Sequence, residues 1–137
     1  MRRKNGGFTL IELMLVVIII GILAAMVVPR LVGKTKIAQQ KVALADIQTI
    51  GKMLDLYELE NGFFPSTEQG LQALMDKPST SPVPEQWNGP YLKKLPMDPW
   101  QKPYKYKTPG THSKDYDLYS TGPDGQEGND DDIGNWK

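Results

Sequence analysis

The chain has 137 residues, room for one small domain beyond any anchoring segment. Lys and Arg total 16, Asp and Glu also total 16, and the formal net charge is zero, which gives no basic face for nucleic acid. There is no cysteine, so a disulfide framework is excluded, and a metal becomes the natural substitute constraint for a small domain in an oxidising compartment.

The charge is unevenly placed. Arg2, Arg3 and Lys4 open the chain, while Asp115, Asp117, Asp124, Glu127, Asp130, Asp131 and Asp132 crowd its end. After the basic leader come Asn5-Gly6-Gly7, then Phe8-Thr9-Leu10-Ile11-Glu12, then an unbroken apolar run over residues 13–28. Residues 8–28 suffice to cross a hydrocarbon core of ~30 Å. The leader cations place the amino terminus in the cytoplasm and the rest of the chain beyond the inner membrane. Glu12 falls inside the span. A carboxylate at mid-bilayer costs roughly 2.5–3.5 kcal/mol, so it either marks a function or snorkels from the helix end to the headgroups. An ordinary secretory signal is cut after its apolar region; here the small-residue site precedes that region, so cleavage would leave the helix on the mature protein.

Gly7-Phe8-Thr9-Leu10-Ile11-Glu12, between a basic leader and an apolar run, resembles the class III signal of the type IV pilin-like family. The resemblance implies that a prepilin peptidase cuts between Gly7 and Phe8 and methylates the new amino terminus of Phe8. It also implies that Glu12 serves assembly. Gly6 stands where a basic or polar residue is common in that family.

Further along, Ala43, Ile47, Ile50, Leu54 and Tyr57 recur at spacings of four, three, four and three, which is one face of a helix. Lys41, Asp46, Gln48, Lys52 and Asp55 lie off it. Asn61-Gly62 tolerates the left-handed geometry of a helix end. The pattern predicts one helix over residues 8–60, roughly 80 Å long at 1.5 Å per residue. Pro29 removes a hydrogen bond and predicts a kink, and Gly21 is a second weak point. In the pilin-like family the segment between such residues can unwind within the filament.

Ser66-Thr67-Glu68-Gln69 has the form of a capping box, and a short helix follows through Leu71, Leu74 and Met75. Residues 79–89 hold two prolines, Pro82 and Pro84, and read as a surface loop. Residues 91–95, 104–106 and 116–119 alternate as strands do and predict a small antiparallel sheet over the amphipathic half of the helix. The fold class is α+β: a long amino-terminal helix, a small domain with a short sheet, and an acidic carboxy-terminal loop. The expected organisation is a leader over 1–7, a transmembrane helix over 8–28, and an amphipathic helix with a periplasmic domain over 29–137.

The segments Phe64-Pro65-Ser66-Thr67-Glu68-Gln69-Gly70-Leu71-Gln72-Ala73-Leu74, Leu95-Pro96-Met97-Asp98-Pro99-Trp100, Pro103-Tyr104-Lys105-Tyr106 and Asp132-Ile133-Gly134-Asn135-Trp136 resemble, in order, those of the major pseudopilins of type II secretion systems. Gln101 departs from that pattern, which has glycine after the tryptophan. Type IV adhesion pilins share only the amino-terminal part, and most carry a disulfide that this chain cannot form.

The segment 121–132 is acidic and rich in glycine. Calcium takes six to eight hard oxygen ligands from carboxylates and carbonyls of a chain that can turn sharply. The spacing is not that of an EF-hand, and composition alone favours a solvated acidic loop. The pseudopilin resemblance reverses that and implies calcium, held by the side chains of Asp124, Asp131 and Asp132 and the carbonyl of Thr121, with lesser roles for Gln126 and Asn129. Asp130 could compete with Asp131.

Enzyme readings are weak. His112 is the only histidine and sits in a turn, and there is no G-x-S-x-G elbow, phosphate loop or H-E-x-x-H pair. Trp87, Trp100 and Trp136 read as packing residues. The resemblance implies a structural subunit that polymerises into a periplasmic pseudopilus and helps exoproteins across the outer membrane. Its partners would be further copies, minor pseudopilins, the prepilin peptidase and the inner-membrane assembly platform. The alternatives are a type IV pilus subunit and a monomeric, membrane-anchored calcium-binding module.

Overall fold

A computed structural model describes residues 6–137, apart from the side chains of residues 28–33. The leader cations and the kink expected at Pro29 lie outside the described residues. The chain divides into two compact units, Met1–Ala38 and Gln39–Lys137. Helix α1, Leu10–Asn61, contributes to both.

In the first unit, Leu10–Val27 has a mean hydropathy of 3.0 and none of it is buried. It is long and apolar enough to cross a membrane, and its side chains, such as Ile11, Ile18 and Leu23, are exposed. Thr9 precedes the first helical residue. Its hydroxyl accepts from the Glu12 amide (3.3 Å), and Glu12 reaches back to the Thr9 amide (2.8 Å). This is a capping box, which satisfies two amides left over at a helix start.

The second unit has its own core. Ala43, Ile47, Ile50, Leu54 and Tyr57 are all buried, as their spacing predicts, and they cluster with Leu71, Leu74, Tyr104, Tyr116, Leu118 and Ile133. Each large aliphatic side chain buried this way contributes roughly 1.5–3 kcal/mol. α1 ends at Gly62: its amide makes the last helical bond, to the Glu58 carbonyl (2.7 Å), and its positive φ of 82° then turns the chain out of the helix.

The capping box predicted at Ser66 forms too. The Ser66 amide donates to Gln69 Oε1 (3.0 Å) and the Gln69 amide to Ser66 Oγ (3.2 Å). It closes the turn before a 3₁₀ helix, Gly70–Leu74. The Gln69 amide group reaches on to the carbonyls of Thr80 (2.6 Å) and Pro82 (2.9 Å), so it also pins the proline-rich loop.

The sheet differs from expectation in one strand. β1 is Lys105–Lys107, β2 is Asp117–Ser120 and β3 is Ile133–Gly134, antiparallel in the order β1-β2-β3. Two of the predicted strands are present, shifted by one residue. Residues 91–95 are not a strand. Pro90 and Pro96 bracket them and remove ladder donors. The amides of Tyr91 and Leu92 instead both donate to the Leu74 carbonyl (2.8 and 3.0 Å). The third strand comes from the chain end. Asn135 extends its pairing with β2: its side chain accepts from the Leu118 amide (3.0 Å) and donates to the Tyr116 carbonyl (3.0 Å). The Trp136 ring packs directly on Gly134, where a Cβ would lie 2.4 Å from it.

Candidate functional site

Three groups of residues carry polar chemistry. At the amino end, Gly6 to Thr9 precede the helix, and Phe8 is 87% exposed. Gly7 and Phe8 therefore lie on non-helical, accessible chain. Glu12 lines a small cavity with Gly6, Gly7 and Phe8, so its side chain folds back toward the expected cut. Its Oε2 accepts from the Thr9 amide (2.8 Å) and the Thr9 hydroxyl (2.9 Å). The sequence reading missed Thr9, although the T-x-x-E spacing was there to be read.

At the carboxy end, the acidic loop is ordered by its own side chains. Asp124 accepts from the Gln126 amide (2.9 Å) on one oxygen and from the Asn129 side-chain amide (2.7 Å) on the other. Asn129 Oδ1 accepts from the Asp131 amide (3.0 Å). Asp132 is buried; its Oδ2 accepts from the Gly128 amide (2.7 Å), while its Oδ1 is buried with no partner. Thr121 is buried at the loop entrance. Gly122 has a positive φ and lies against the Asp131 backbone, so the two ends of the loop meet there. Lys137 donates to the carbonyls of Asp130 (3.1 Å) and Asp132.

The expected calcium residues thus share one loop, and Asp124 is joined directly to Asn129. Among the described residues, no three carboxylates converge as a metal site. The donor set is nonetheless all oxygen, which suits a hard cation. The orphaned Asp132 Oδ1 is the atom that best fits one, because a buried carboxylate oxygen without a donor is costly.

A third group was not foreseen. Asp117 is 2% exposed and accepts from the amides of Thr111 (2.8 Å), His112 (3.1 Å) and Ser113 (2.8 Å) and from the Thr111 hydroxyl (2.7 Å). Burial by itself would raise its pKa. The hydrogen bonds from Ser113, Thr111 and His112 outweigh burial and hold it well below the usual carboxylate range. His112 is more than a surface residue: its Nδ1 lies 3.1 Å from Asp117 and its ring stacks on Trp136 at 4.2 Å. The sequence signal was faint, because an acid at a strand start looks like any solvated edge.

Comparison with known proteins follows the same division of the chain. A family model described as type II secretion system, protein G, matches residues 30–136. One described as the prokaryotic N-terminal methylation motif matches residues 2–28. A type II secretion system core protein G of Pseudomonas aeruginosa is 55% identical over 139 residues, covering 98% of this chain and 97% of its own. The protein so named in Aeromonas hydrophila is 48% identical, covering 98% of this chain and 94% of its own. The crystal structure of the major pseudopilin from the type 2 secretion system of enterohaemorrhagic Escherichia coli is similar with a TM-score of 0.71 at 40% identity, covering 76% of this chain and 87% of that one.

Proposed function

The chain belongs to the type II secretion system protein G family and is a structural subunit of the pseudopilus; from that premise we propose how its segments act. The leader is cut between Gly7 and Phe8, and Phe8 is then methylated. The apolar helix holds the subunit in the inner membrane with its amino terminus cytoplasmic and its domain periplasmic. Copies then polymerise through this helix, together with minor pseudopilins and the inner-membrane assembly platform. Growth from the base pushes the filament outward and moves folded exoproteins toward an outer-membrane channel. The energy comes from outside the chain, which has no nucleotide motif.

The observation that carries this reading is the unburied apolar run Leu10–Val27 directly after an accessible Gly7-Phe8 bond. Such a surface needs lipid first and other apolar helices later. Glu12 pairs with the freed amino group of Phe8 on a neighbouring subunit. In a low-dielectric setting, breaking such a pair from one side costs about 3–5 kcal/mol, which is enough to favour one axial step.

Calcium is proposed for the acidic loop. Asp124, Asp131 and Asp132 would hold it through side chains and Thr121 through its carbonyl, with Gln126 and Asn129 closing the loop. A divalent cation supplies charge neutralisation where several carboxylates repel one another. The chain's part is to keep Asp132 buried and the two loop ends together.

Mass spectrometry of the membrane-extracted protein tests the processing step, with a chain beginning at methylated Phe8 as the expected result. Glu12→Ala should remain cut and folded yet lose filaments and secretion. Normal filaments from Glu12→Ala would remove the ion pair from the mechanism.

A further inference from the structure

The acidic loop is entered through a chain of buried hydrogen bonds that begins in a distant turn. The Asp98 carboxylate is 1% exposed. Its Oδ1 is fixed by the amides of Trp100 (3.0 Å) and Lys102 (2.7 Å), and its Oδ2 accepts from the Ser120 hydroxyl (2.6 Å). Ser120, at the end of β2, is fully buried, and its Oγ accepts from the Gly122 amide (3.1 Å). A hydroxyl has one proton to give. Asp98 takes it, which turns the lone pairs of that oxygen to Gly122.

We propose that Ser120 is the positioning residue for the Thr121 carbonyl, the oxygen expected to meet the cation at the loop entrance: Asp98 aims the Ser120 hydroxyl, and the hydroxyl fixes the peptide that carries that carbonyl. The inference rests on the calcium reading above and deepens it. The Gly122 amide and the Thr121 carbonyl belong to one planar peptide unit, so the two groups point in opposite directions. Holding the amide therefore sets the direction of the carbonyl. Without that hold the peptide could turn, because the glycine that follows has a wide choice of backbone geometry; Gly122 uses it, with φ at 66°. A ligand oriented in advance spares the cation the cost of ordering it.

Neighbouring contacts single out this peptide. The Lys102 ammonium lies 3.5 Å from the carbonyls of both Gly122 and Pro123. Those two oxygens already face a positive charge, which disfavours a second cation on them. A Cβ on Gly122 would lie 2.6 Å from the Asp131 carbonyl, so the start of the loop rests against the segment that carries Asp131 and Asp132. Asp132 is 5% exposed, and its Oδ1 is buried without a donor among the described residues. That oxygen suits a hard cation independently of the charge crowded along the loop.

Titration of the full chain in detergent with calcium chloride tests this. Calorimetry reads the affinity, and melting temperatures are taken in calcium and in chelator. Ser120→Ala removes the hydroxyl. Ser120→Cys keeps the shape but offers only a weak acceptor, and it gives the answer where Ser120→Ala does not fold. Each is expected to bind calcium about tenfold more weakly than wild type, the lower end for loss of a group that orients a metal ligand. Asp98→Asn, which turns a donor toward the same hydroxyl, should weaken binding in the same direction. In all of them the rise in melting temperature on adding calcium should shrink, beyond any loss already present in chelator. Wild-type calcium affinity in the Ser120 variants, with melting temperatures lowered equally in calcium and in chelator, would make Ser120 a structural residue only and overturn the assignment. In that case the calcium reading stands and the positioning role alone falls. If wild type itself gives neither binding heat nor a melting shift, the calcium reading falls first.

Discussion

Gln101 is the one described residue other than glycine with positive φ, at 62°. It sits in the turn that Asp98 organises. The Asp98 carboxylate accepts from the amides of Trp100 (3.0 Å) and Lys102 (2.7 Å) and from the Ser120 hydroxyl (2.6 Å). These bonds hold the turn closed even though a side chain with a Cβ is disfavoured there. Left-handed geometry costs such a residue roughly 1–2 kcal/mol, and glycine avoids it at some entropic expense. Gln101→Gly should therefore stabilise the protein by about 1 kcal/mol. Denaturant midpoints of the two chains check this, and an unchanged midpoint would show that the turn already relieves the strain. Asp117 makes the opposite case, a residue whose polar partners are all satisfied. An asparagine there cannot accept from every donor it faces, so Asp117→Asn should cost about 2 kcal/mol. The folded pKa of Asp117 lies below its ordinary value of 3.8. Its contribution is thus complete above that pH and is lost as the pH falls below it. The gap in stability between wild type and Asp117→Asn should narrow on acidification from pH 5 downward, which urea titrations at several pH values would read. A gap constant with pH would mean that the carboxylate charge is not what these donors hold.

At the scale of elements, the 3₁₀ helix and the proline-rich loop behave as one piece because Gln69 joins them. One side chain closes a turn, accepts from Ser66 and donates to two loop carbonyls. Gln69→Ala would leave those carbonyls and one amide without their partner. Each lost partner of a partly buried group costs about 1 kcal/mol, so a total near 2–3 kcal/mol is expected. Proteolysis should then cut within residues 79–89 much sooner than in wild type; equal resistance would show that the loop is held by other contacts. The strand at residues 91–95 failed at this same scale. Its alternating pattern was real, yet pairing needs an edge with matching donors. Two flanking prolines and the nearby Leu74 carbonyl settled those amides elsewhere. The edge of β2 was left to the chain end, where Ile133–Gly134 is too short to show any period.

For the molecule as a whole, the decisive comparison is between calcium and chelator. The domain has no disulfide and a carboxy-terminal loop dense in acids. A ligand that binds only the folded form stabilises it by RT ln(1 + [L]/Kd), about 2.7 kcal/mol at a hundredfold excess over Kd. The full chain in detergent should melt at higher temperature in calcium than in chelator. Magnesium should substitute poorly, since it keeps its waters and demands tight octahedral geometry. Asp124→Ala should abolish the calcium shift and lower secretion through subunit instability. A melting temperature indifferent to calcium would return residues 121–132 to a solvated acidic loop.

The sequence by itself determined the apolar span, the buried face from Ala43 to Tyr57, the helix end at Asn61-Gly62 and the capping box of Ser66 with Gln69. Each is a local matter: helix period, turn chemistry and caps depend on residues within a turn or two of one another. The same locality made the family resemblance legible, because its motifs are contiguous. Only the tertiary structure decided the third strand, the burial of Asp117 among three successive amides, the stacking of His112 on Trp136 and the orphaned oxygen of Asp132. Those features join residues far apart in the chain or depend on which of several acids is buried. A run of aspartates looks the same in sequence whether its members face water, a neighbouring amide or an ion; packing of the chain end against β2 is what separates them.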